Sequence, residues 1–346
     1  MTGSRSPFDL STCARPNILA LEPYRCARDD YKDDGTNILL DANENAYGPG
    51  LDISEDGKLS NGAVNGHVDC KMAGVDLLGL HRYPDPTLSS DPSIKIVYVC
   101  SPGNPTANLV SKSDLQQILE HATWNGVVVL DEAYIDFAPE GSSLAEWVLE
   151  WPNLVVMQTL SKAFGLAGIR LGAAFTSPAI AGLLNNFKAP YNISSPTSAL
   201  ACAALQPKNL AVMKDNREMI LTQRLRMLEE LPKISGVGSF LGGAESNFLL
   251  VEILDRPRSQ GGQTSNNMAM AVYERLAETK GVVVRFRGKE VGCLGCLRIT
   301  VGTEKEVNKL LAEMKAVLGE LMSKRDGALC GSTDNEKEHE ANDVIA

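Results

Sequence analysis

The sequence of 346 residues lacks several features that define whole classes of protein. No apolar run approaches the roughly 20 residues that a membrane-spanning helix needs. Acidic residues outnumber basic ones, 43 to 33, and no basic stripe is present. Nucleic-acid binding is therefore not expected, because phosphate neutralisation needs clustered Lys and Arg. Residues 1–10 contain no apolar core of a signal peptide, so we expect no secretion and a cytoplasmic location.

Metal and disulfide chemistry also lack support. The four histidines show no ligand spacing, and the eight cysteines are scattered, several within apolar runs, as reduced thiols are. Cys293 and Cys296 form a C-x-x-C pair, but no second pair follows at the spacing of a zinc site. We therefore expect no metal centre.

What is present is an alternation of apolar strands and amphipathic helices. Residues 95–100, 126–130 and 153–160 are short continuous apolar runs, as buried parallel strands are. Helical spacing separates them at 111–123 and 143–151. Strands that alternate with helices predict an α/β fold with a mainly parallel sheet and helices on its faces.

The chain divides into a large and a small predicted domain. We predict an N-terminal arm at 1–36, a large domain at 37–240, a smaller C-terminal α/β domain at 241–325 and a disordered tail at 326–346, which is polar and charged. A segment rich in Gly, Asp and Asn at 51–75 is predicted to be an exposed insertion in the large domain.

The predicted small domain contains strands at 248–253, 282–286 and 297–301 and a helix at 267–280. Thr303 and Glu306 match a capping box, which opens the last predicted helix.

Two reactive side chains end successive predicted strands. Asp131 follows the second strand, and Lys162 follows the third. Alone, such an Asp is more often a turn residue, and such a Lys is a surface charge. Because the carboxyl ends of parallel strands meet at one edge of a sheet, we expect both side chains there. Pyridoxal phosphate requires a lysine that forms a Schiff base with its aldehyde and a carboxylate that pairs with its ring nitrogen.

Neighbouring polar residues could complete such a site. Tyr134 and Asn104 could bond the ring hydroxyl of the cofactor, and Ser161 lies beside Lys162. Arg170 comes eight residues after Lys162, about two turns along a predicted helix. Its guanidinium could bind a phosphate bidentately.

Six motifs make the resemblance to a known family specific. Ser-Pro-Gly-Asn-Pro-Thr at 101–106, Asp-Glu-Ala-Tyr at 131–134 and Thr-Leu-Ser-Lys-Ala-Phe-Gly-Leu-Ala-Gly-Ile-Arg at 159–170 look like successive motifs of fold-type I aminotransferases. Leu-Asp-Ala-Asn-Glu-Asn-Ala-Tyr-Gly at 40–48, Arg-Tyr-Pro-Asp-Pro at 82–86 and Gly-Cys-Leu-Arg-Ile-Thr-Val-Gly at 295–302 are similar to the histidinol-phosphate aminotransferase family. The resemblance covers roughly residues 15–322 and implies the fold of pyridoxal-phosphate transferases.

The resemblance also implies roles for individual residues. Lys162 would bind the cofactor covalently and shuttle a proton, Asp131 would pair with the ring nitrogen, Asn104 and Tyr134 would hold the ring oxygen, and Ser161 and Arg170 would hold the phosphate. The implied reaction is amino transfer between histidinol phosphate and 2-oxoglutarate in histidine biosynthesis.

Further implied roles concern the substrate and a second subunit. Tyr24, Arg285 and Arg298 would bind the phosphate of the substrate. Tyr83 would reach the cofactor phosphate of a partner subunit, which implies a homodimer.

The sequence departs from the family pattern at two places. Only residues 87–94 lie between the motif at 82–86 and the strand that leads to the motif at 101–106. Members of the family carry several tens of residues there. The missing stretch normally supplies a turn that binds the cofactor phosphate, an aromatic residue that stacks on its ring, and part of the sheet. The second departure is Ala107, which stands where the family usually has glycine, so a positive φ there would be strained.

Two alternatives to the implied enzyme remain. One is a non-catalytic deletion product of the same family that cannot hold pyridoxal phosphate. The other is a different pyridoxal-phosphate-dependent aminotransferase or decarboxylase of this fold.

Overall fold

The computed structural model describes residues 37–50, 95–121, 124–187 and 192–340, with side chains as far as residue 323. Tyr24, Tyr83, the predicted insertion at 51–75 and the short connection at 87–94 lie outside these ranges.

The first sheet contains the three strands that the sequence predicts. They are β2 (Ile96–Cys100), β3 (Val127–Asp131) and β4 (Leu154–Thr159), and they run parallel in that order. A fourth strand, β5 (Gly172–Thr176), pairs antiparallel with β4. The sequence analysis did not predict β5, which is short and consists mainly of small residues.

One face of this sheet is covered and the other is only partly covered. Alternate residues such as Val99, Leu130 and Val156 are buried against helix α1 (Lys112–Leu119). The other face contains Tyr98 and Asp131, which are only partly buried. Polar side chains are therefore available on this face, at the carboxyl ends of the strands.

The second sheet is antiparallel throughout. Its order is β6 (Val237–Leu241), β7 (Phe248–Ile253), β10 (Cys296–Thr300) and β9 (Arg285–Phe286). Because β6 pairs with β7, this sheet begins before the domain boundary predicted at residue 241.

A short parallel pair joins the start of the described chain to the same half of the molecule. Strand β1 (Ile38–Leu39) pairs with β8 (Val282–Val283). The strand predicted at 282–286 is therefore split, because β8 pairs with β1 and β9 pairs with β10.

Residues 37–50, which we call the N-terminal segment, contact both halves of the fold. At one end, the backbone N–H of Leu40 donates to the carbonyl of Val283, 2.7 Å away. At the other end, the backbone N–H of Gly50 donates to the carbonyl of Phe164, in the turn after β4, at 3.0 Å. The segment thus bonds to the second half of the chain and to the first sheet.

Five further helices complete the fold in the described ranges. They are α2 (Pro178–Phe187), α3 (Ser195–Ala204), α4 (Pro207–Glu230), α5 (Asn266–Lys280) and α6 (Glu304–Glu340). The largest hydrophobic core lies between the second sheet and helices α4 to α6, and includes Ile220, Leu249, Leu276 and Leu310. None of the helices in these ranges is long and apolar enough to span a membrane.

Helix α6 begins as predicted and ends later than predicted. The backbone N–H of Thr303 donates to Oε2 of Glu306 at 2.7 Å, and the N–H of Glu306 donates to Oγ1 of Thr303 at 3.4 Å, which confirms the capping box. The backbone remains helical to Glu340, which differs from the disordered tail predicted from residue 326. This stretch contains no proline that would end the helix.

Candidate active site

A pocket of about 530 Å³ opens at the carboxyl ends of β3 and β4, beside the start of β5. Asp131, Ser161, Lys162 and Arg170 all line it. The structure therefore brings together four of the residues that the sequence analysis singled out.

Both carboxylate oxygens of Asp131 are bonded. Oδ2 accepts a hydrogen bond from the hydroxyl of Tyr98 at 2.6 Å, and Oδ1 accepts one from the backbone N–H of Ala133 at 3.0 Å. The sequence analysis did not assign Tyr98. Tyr98 lies two residues before Cys100 on β2, and Cys100 is the register partner of Asp131, so its role depends on the strand pairing.

Lys162 lies beside an aromatic side chain and the N-terminal segment. Its Nζ donates to the carbonyl of Ala42 at 3.3 Å and lies 5.5 Å from the ring centroid of Tyr134. In the residue before it, the backbone N–H of Ser161 donates to Oγ1 of Thr159 at 3.1 Å. The turn after β4 is thus held by its own side chains.

Arg170 reaches the pocket by a different route from the predicted one. Residues 162–170 form bends and a short 3-10 turn, Ala167–Ile169, rather than a helix of two turns. Gly165 has a φ of +64°, and a Cβ built there would lie 2.4 Å from the carbonyl oxygen of Gly48, so only glycine fits. Arg170 itself is in the left-handed conformation, with a φ of +53°.

Tyr134 and Asn104 lie outside the lining of this pocket. The hydroxyl of Tyr134, which is buried, accepts a hydrogen bond from Nδ2 of Asn43 at 3.1 Å. Oδ1 of Asn104 accepts one from Nη1 of Arg298 at 2.8 Å. The sequence analysis quoted Asn43 within a motif but assigned it no role.

The two arginines predicted to bind substrate are neighbours. Arg285 on β9 and Arg298 on β10 are directly paired across the two strands. Arg298 is buried, its Nη2 donates to the carbonyl of Asp41, and its Nε has no hydrogen-bond partner. Burial lowers the pKa of Arg298 to about 10, and Arg287 contributes to this shift. The guanidinium therefore stays charged at neutral pH.

Ala107 has the backbone conformation expected for glycine. Its φ is +54°, and its side chain is fully buried. This confirms that the position requires a positive φ.

The C-x-x-C pair is buried. Cys293 and Cys296 are reduced cysteines that are buried together beside Leu250. Burial raises the pKa of Cys296 to about 12, which keeps it a neutral thiol. In the described part of the chain, no group of three His, Cys, Asp or Glu residues is arranged to hold a metal.

Comparisons with a family model and with known proteins indicate the same family. The model of aminotransferase class I and II matches residues 70–314. The histidinol-phosphate aminotransferase of Schizosaccharomyces pombe is 42% identical over 388 aligned positions, which cover 92% of this chain and 100% of that protein. The enzyme of Candida maltosa is 38% identical and covers 91% of this chain and 99% of that protein.

Solved structures share the fold over part of their length. Histidinol-phosphate aminotransferase from Sinorhizobium meliloti, in complex with pyridoxal-5'-phosphate, has a TM-score of 0.57 and 26% identity, covering 71% of this chain and 62% of that one. A decarboxylase from Sulfurospirillum multivorans has a TM-score of 0.55 and 25% identity, covering 64% of this chain and 55% of that one. The chain thus spans less than two thirds of the length of these two structures.

The fold-type I α/β architecture is therefore confirmed. The 388 aligned positions exceed the 346 residues of this chain, so the S. pombe protein has residues without a counterpart here. The family match and the identity to relatives along nearly their whole lengths show that the chain belongs to the histidinol-phosphate aminotransferase family of class I and II aminotransferases.

Proposed function

We propose that the protein is a pyridoxal-phosphate-dependent aminotransferase that acts on histidinol phosphate and 2-oxoglutarate in histidine biosynthesis. The products would be imidazole acetol phosphate and glutamate. The observation that supports this most directly is the position of Asp131 and Lys162, which line one pocket at the ends of adjacent strands.

The groups around the pocket have the chemistry that pyridoxal phosphate needs. The volume of about 530 Å³ lies in the usual range for small-molecule sites. The residues that would hold the cofactor are Asp131 at the ring nitrogen, Lys162 at the aldehyde, Ser161 and Arg170 at the phosphate, and Asn104 and Tyr134 at the ring oxygen. When bound, the cofactor supplies an electron sink for the carbanion at the substrate Cα.

The residues of the chain would orient these groups and move protons. Tyr98 and Ala133 fix both oxygens of Asp131, so its carboxylate is held in place before a ring nitrogen arrives. Nζ of Lys162 would take the proton from the substrate Cα and deliver it to the carbon of the cofactor that bore the aldehyde.

The paired arginines would select a phosphorylated substrate. Arg298 is a buried cation with an unpartnered Nε, and Arg285 lies beside it on the next strand. Together with Tyr24, they would bind the substrate phosphate, since arginine forms strong charge-assisted bonds to phosphate.

Assembly and location are part of the same proposal. We infer a homodimer with Tyr83 at the partner's cofactor phosphate, and a cytoplasmic enzyme. The homodimer follows from the family pattern, and the scattered cysteines within apolar runs favour the reducing cytoplasm.

A second candidate is a cofactor-free product of the same family. Two observations favour it. The S. pombe relative has residues that this chain lacks, and in the described sheet β5 pairs only with β4, with Gly172, Ala173, Ala174 and Phe175 exposed. The loss of two or three charge-assisted hydrogen bonds, at about 1.5–3 kcal/mol each, would weaken cofactor binding about a thousandfold or more.

Reconstitution separates the two candidates. The purified chain is mixed with pyridoxal phosphate, and its visible absorption and its activity on histidinol phosphate are measured. We expect a visible band and activity in the parent, and loss of both in Lys162→Ala. A parent that stays colourless and inactive would support the second candidate, and sequencing the transcript across codons 86–95 would then show whether the short connection is genuine.

A further inference from the structure

Asn43 is a buried polar residue that the proposed reaction has not yet used. It lies in the N-terminal segment, only 1% exposed, with a φ of +55°. Its side-chain amide lies between two hydroxyl groups, those of Thr300 on β10 and of Tyr134 after β3.

The hydrogen bonds to Thr300 determine which way the amide faces. The backbone N–H of Asn43 can only donate, and it donates to Oγ1 of Thr300 at 3.1 Å. The hydroxyl hydrogen of Thr300 is then free to donate to Oδ1 of Asn43, at 2.8 Å. With the amide reversed, Oγ1 would accept from both N–H groups, and the hydroxyl hydrogen of Thr300 would lose Oδ1 as its acceptor. The amide oxygen therefore faces Thr300.

The consequence for Tyr134 follows from the same geometry. The NH₂ group of Asn43 faces Tyr134 and donates to its hydroxyl oxygen at 3.1 Å. A tyrosine hydroxyl has one hydrogen, and the NH₂ group cannot accept it. That hydrogen is available to another acceptor, beside Lys162, whose Nζ is 5.5 Å from the ring of Tyr134.

We propose that Asn43 is a positioning residue that directs the hydroxyl hydrogen of Tyr134 toward the ring oxygen of the cofactor. The inference rests on the proposed function, which assigns Tyr134 to that oxygen. Thr300 orients Asn43 and lies two residues after Arg298 on β10. The strand that would bind the substrate phosphate thus also sets the hydrogen-bond direction at the cofactor.

The test is the pKa of the visible band of the lysine-bound cofactor, measured by titration. A donor to the ring oxygen stabilises its anionic, deprotonated form and lowers this pKa. Asn43→Asp keeps the size of the side chain and tolerates a positive φ, but a carboxylate only accepts, so Tyr134 would donate to it. We expect the pKa to rise by about 1 unit or more, in the same direction as in Tyr134→Phe.

Asn45→Asp is the matched control for the added charge. Asn45 lies in the same motif, and its Nδ2 donates to the carbonyl of Ala163 at 2.8 Å rather than to Tyr134. We expect a smaller rise than in Asn43→Asp. In a Tyr134→Phe background, Asn43→Asp should raise the pKa of the visible band by no more than Asn45→Asp raises it.

The outcomes distinguish this inference from the proposed function. If Tyr134→Phe raises the pKa and Asn43→Asp does no more than Asn45→Asp, the inference is overturned and the proposed function stands. A parent chain that takes up no cofactor overturns both. Should Asn43→Asp not fold, Thr300→Val supplies the test, since the amide loses its orienting donor. An unchanged pKa in folded Thr300→Val would also overturn the inference.

Discussion

Ala107 and Ala204 are both fully buried alanines with different backbones. Ala107 has a φ of +54°, whereas Ala204 ends helix α3. A left-handed residue other than glycine costs about 1–2 kcal/mol. A buried methyl group contributes about 0.8 kcal/mol, so strain relief and methyl loss nearly cancel when glycine replaces Ala107.

We therefore predict that Ala107→Gly changes the free energy of unfolding by less than about 1 kcal/mol. Ala204→Gly should cost about 1 kcal/mol, because it loses the methyl contact and relieves no backbone strain. Chemical denaturation of both variants measures this. Equal losses at the two positions would show that the φ at Ala107 is not strained.

Asp136 is a carboxylate whose pKa is raised above its ordinary value of 3.8 by burial, an effect that nearby Arg217 partly opposes. The folded protein binds this proton more tightly than the unfolded chain does. The stability contributed by Asp136 is therefore complete below pH 3.8 and is lost as the pH rises through the pKa of the folded state.

Asp136→Asn should accordingly be more stable than the parent at pH 7 to 8, with the difference shrinking as the pH falls toward 4. Urea denaturation at several pH values measures the difference. Asp215→Asn, on an exposed position of α4, is the control for the removal of a carboxylate. A gain for Asp136→Asn that is constant with pH would contradict the assignment.

The site residues that could be predicted are those with a local signal. Asp131 and Lys162 follow apolar strands, and the chain order of parallel strands places them at one edge. Tyr98, Asn43 and Thr300 could not be assigned in this way. The contact of Asn43 with Thr300 joins residues 257 positions apart, and nothing in the local pattern of either residue specifies it.

The start of helix α6 is fixed by a local pattern that the structure reproduces. Thr303 and Glu306 satisfy each other's backbone N–H groups. Because these groups have no partner within the helix, loss of the Thr303 side chain leaves one of them unpaired.

We predict that Thr303→Ala lowers the free energy of unfolding by about 1 kcal/mol. Ser323→Ala is the control, since the exposed Ser323 hydroxyl bonds to the carbonyl of Gly319 within the same helix rather than to a helix terminus. Thermal unfolding compares the two. If Ser323→Ala destabilises as much as Thr303→Ala, the capping interaction is not the cause.

Strands were predicted correctly where the apolar runs are continuous. The prediction failed where the pairing partner determines how a stretch divides into strands. β2, β3 and β4 have Val-rich sequences that are typical of buried parallel strands. The stretch 282–286 has the same character, yet β8 and β9 belong to different sheets. Propensity specifies an extended backbone, but only the packed structure specifies its partner.

Strand β5 forms one edge of the first sheet in the described part of the chain. In the described part of that sheet, β5 pairs only with β4, and Phe175 is 41% exposed. Unpaired backbone groups on a strand edge can pair with another chain, so this edge favours self-association.

We predict that Phe175→Lys reduces species larger than a dimer, measured by light scattering against protein concentration. Leu149→Lys is the matched control. Leu149 is 87% exposed but lies in a 3-10 turn, Ala145–Leu149, away from the strand edge. An equal reduction in both variants would assign the association to exposed apolar area in general rather than to the edge.

The N-terminal segment limits how the two sheets can move. Its bonds at Leu40 and Gly50 reach opposite halves of the fold, and one of them would have to break before one half rotated away as a rigid body. Hinge opening between the sheets is therefore costly. Ligands would enter and leave through the mouth beside β5, and the rate of exchange would depend on local fluctuations of that strand.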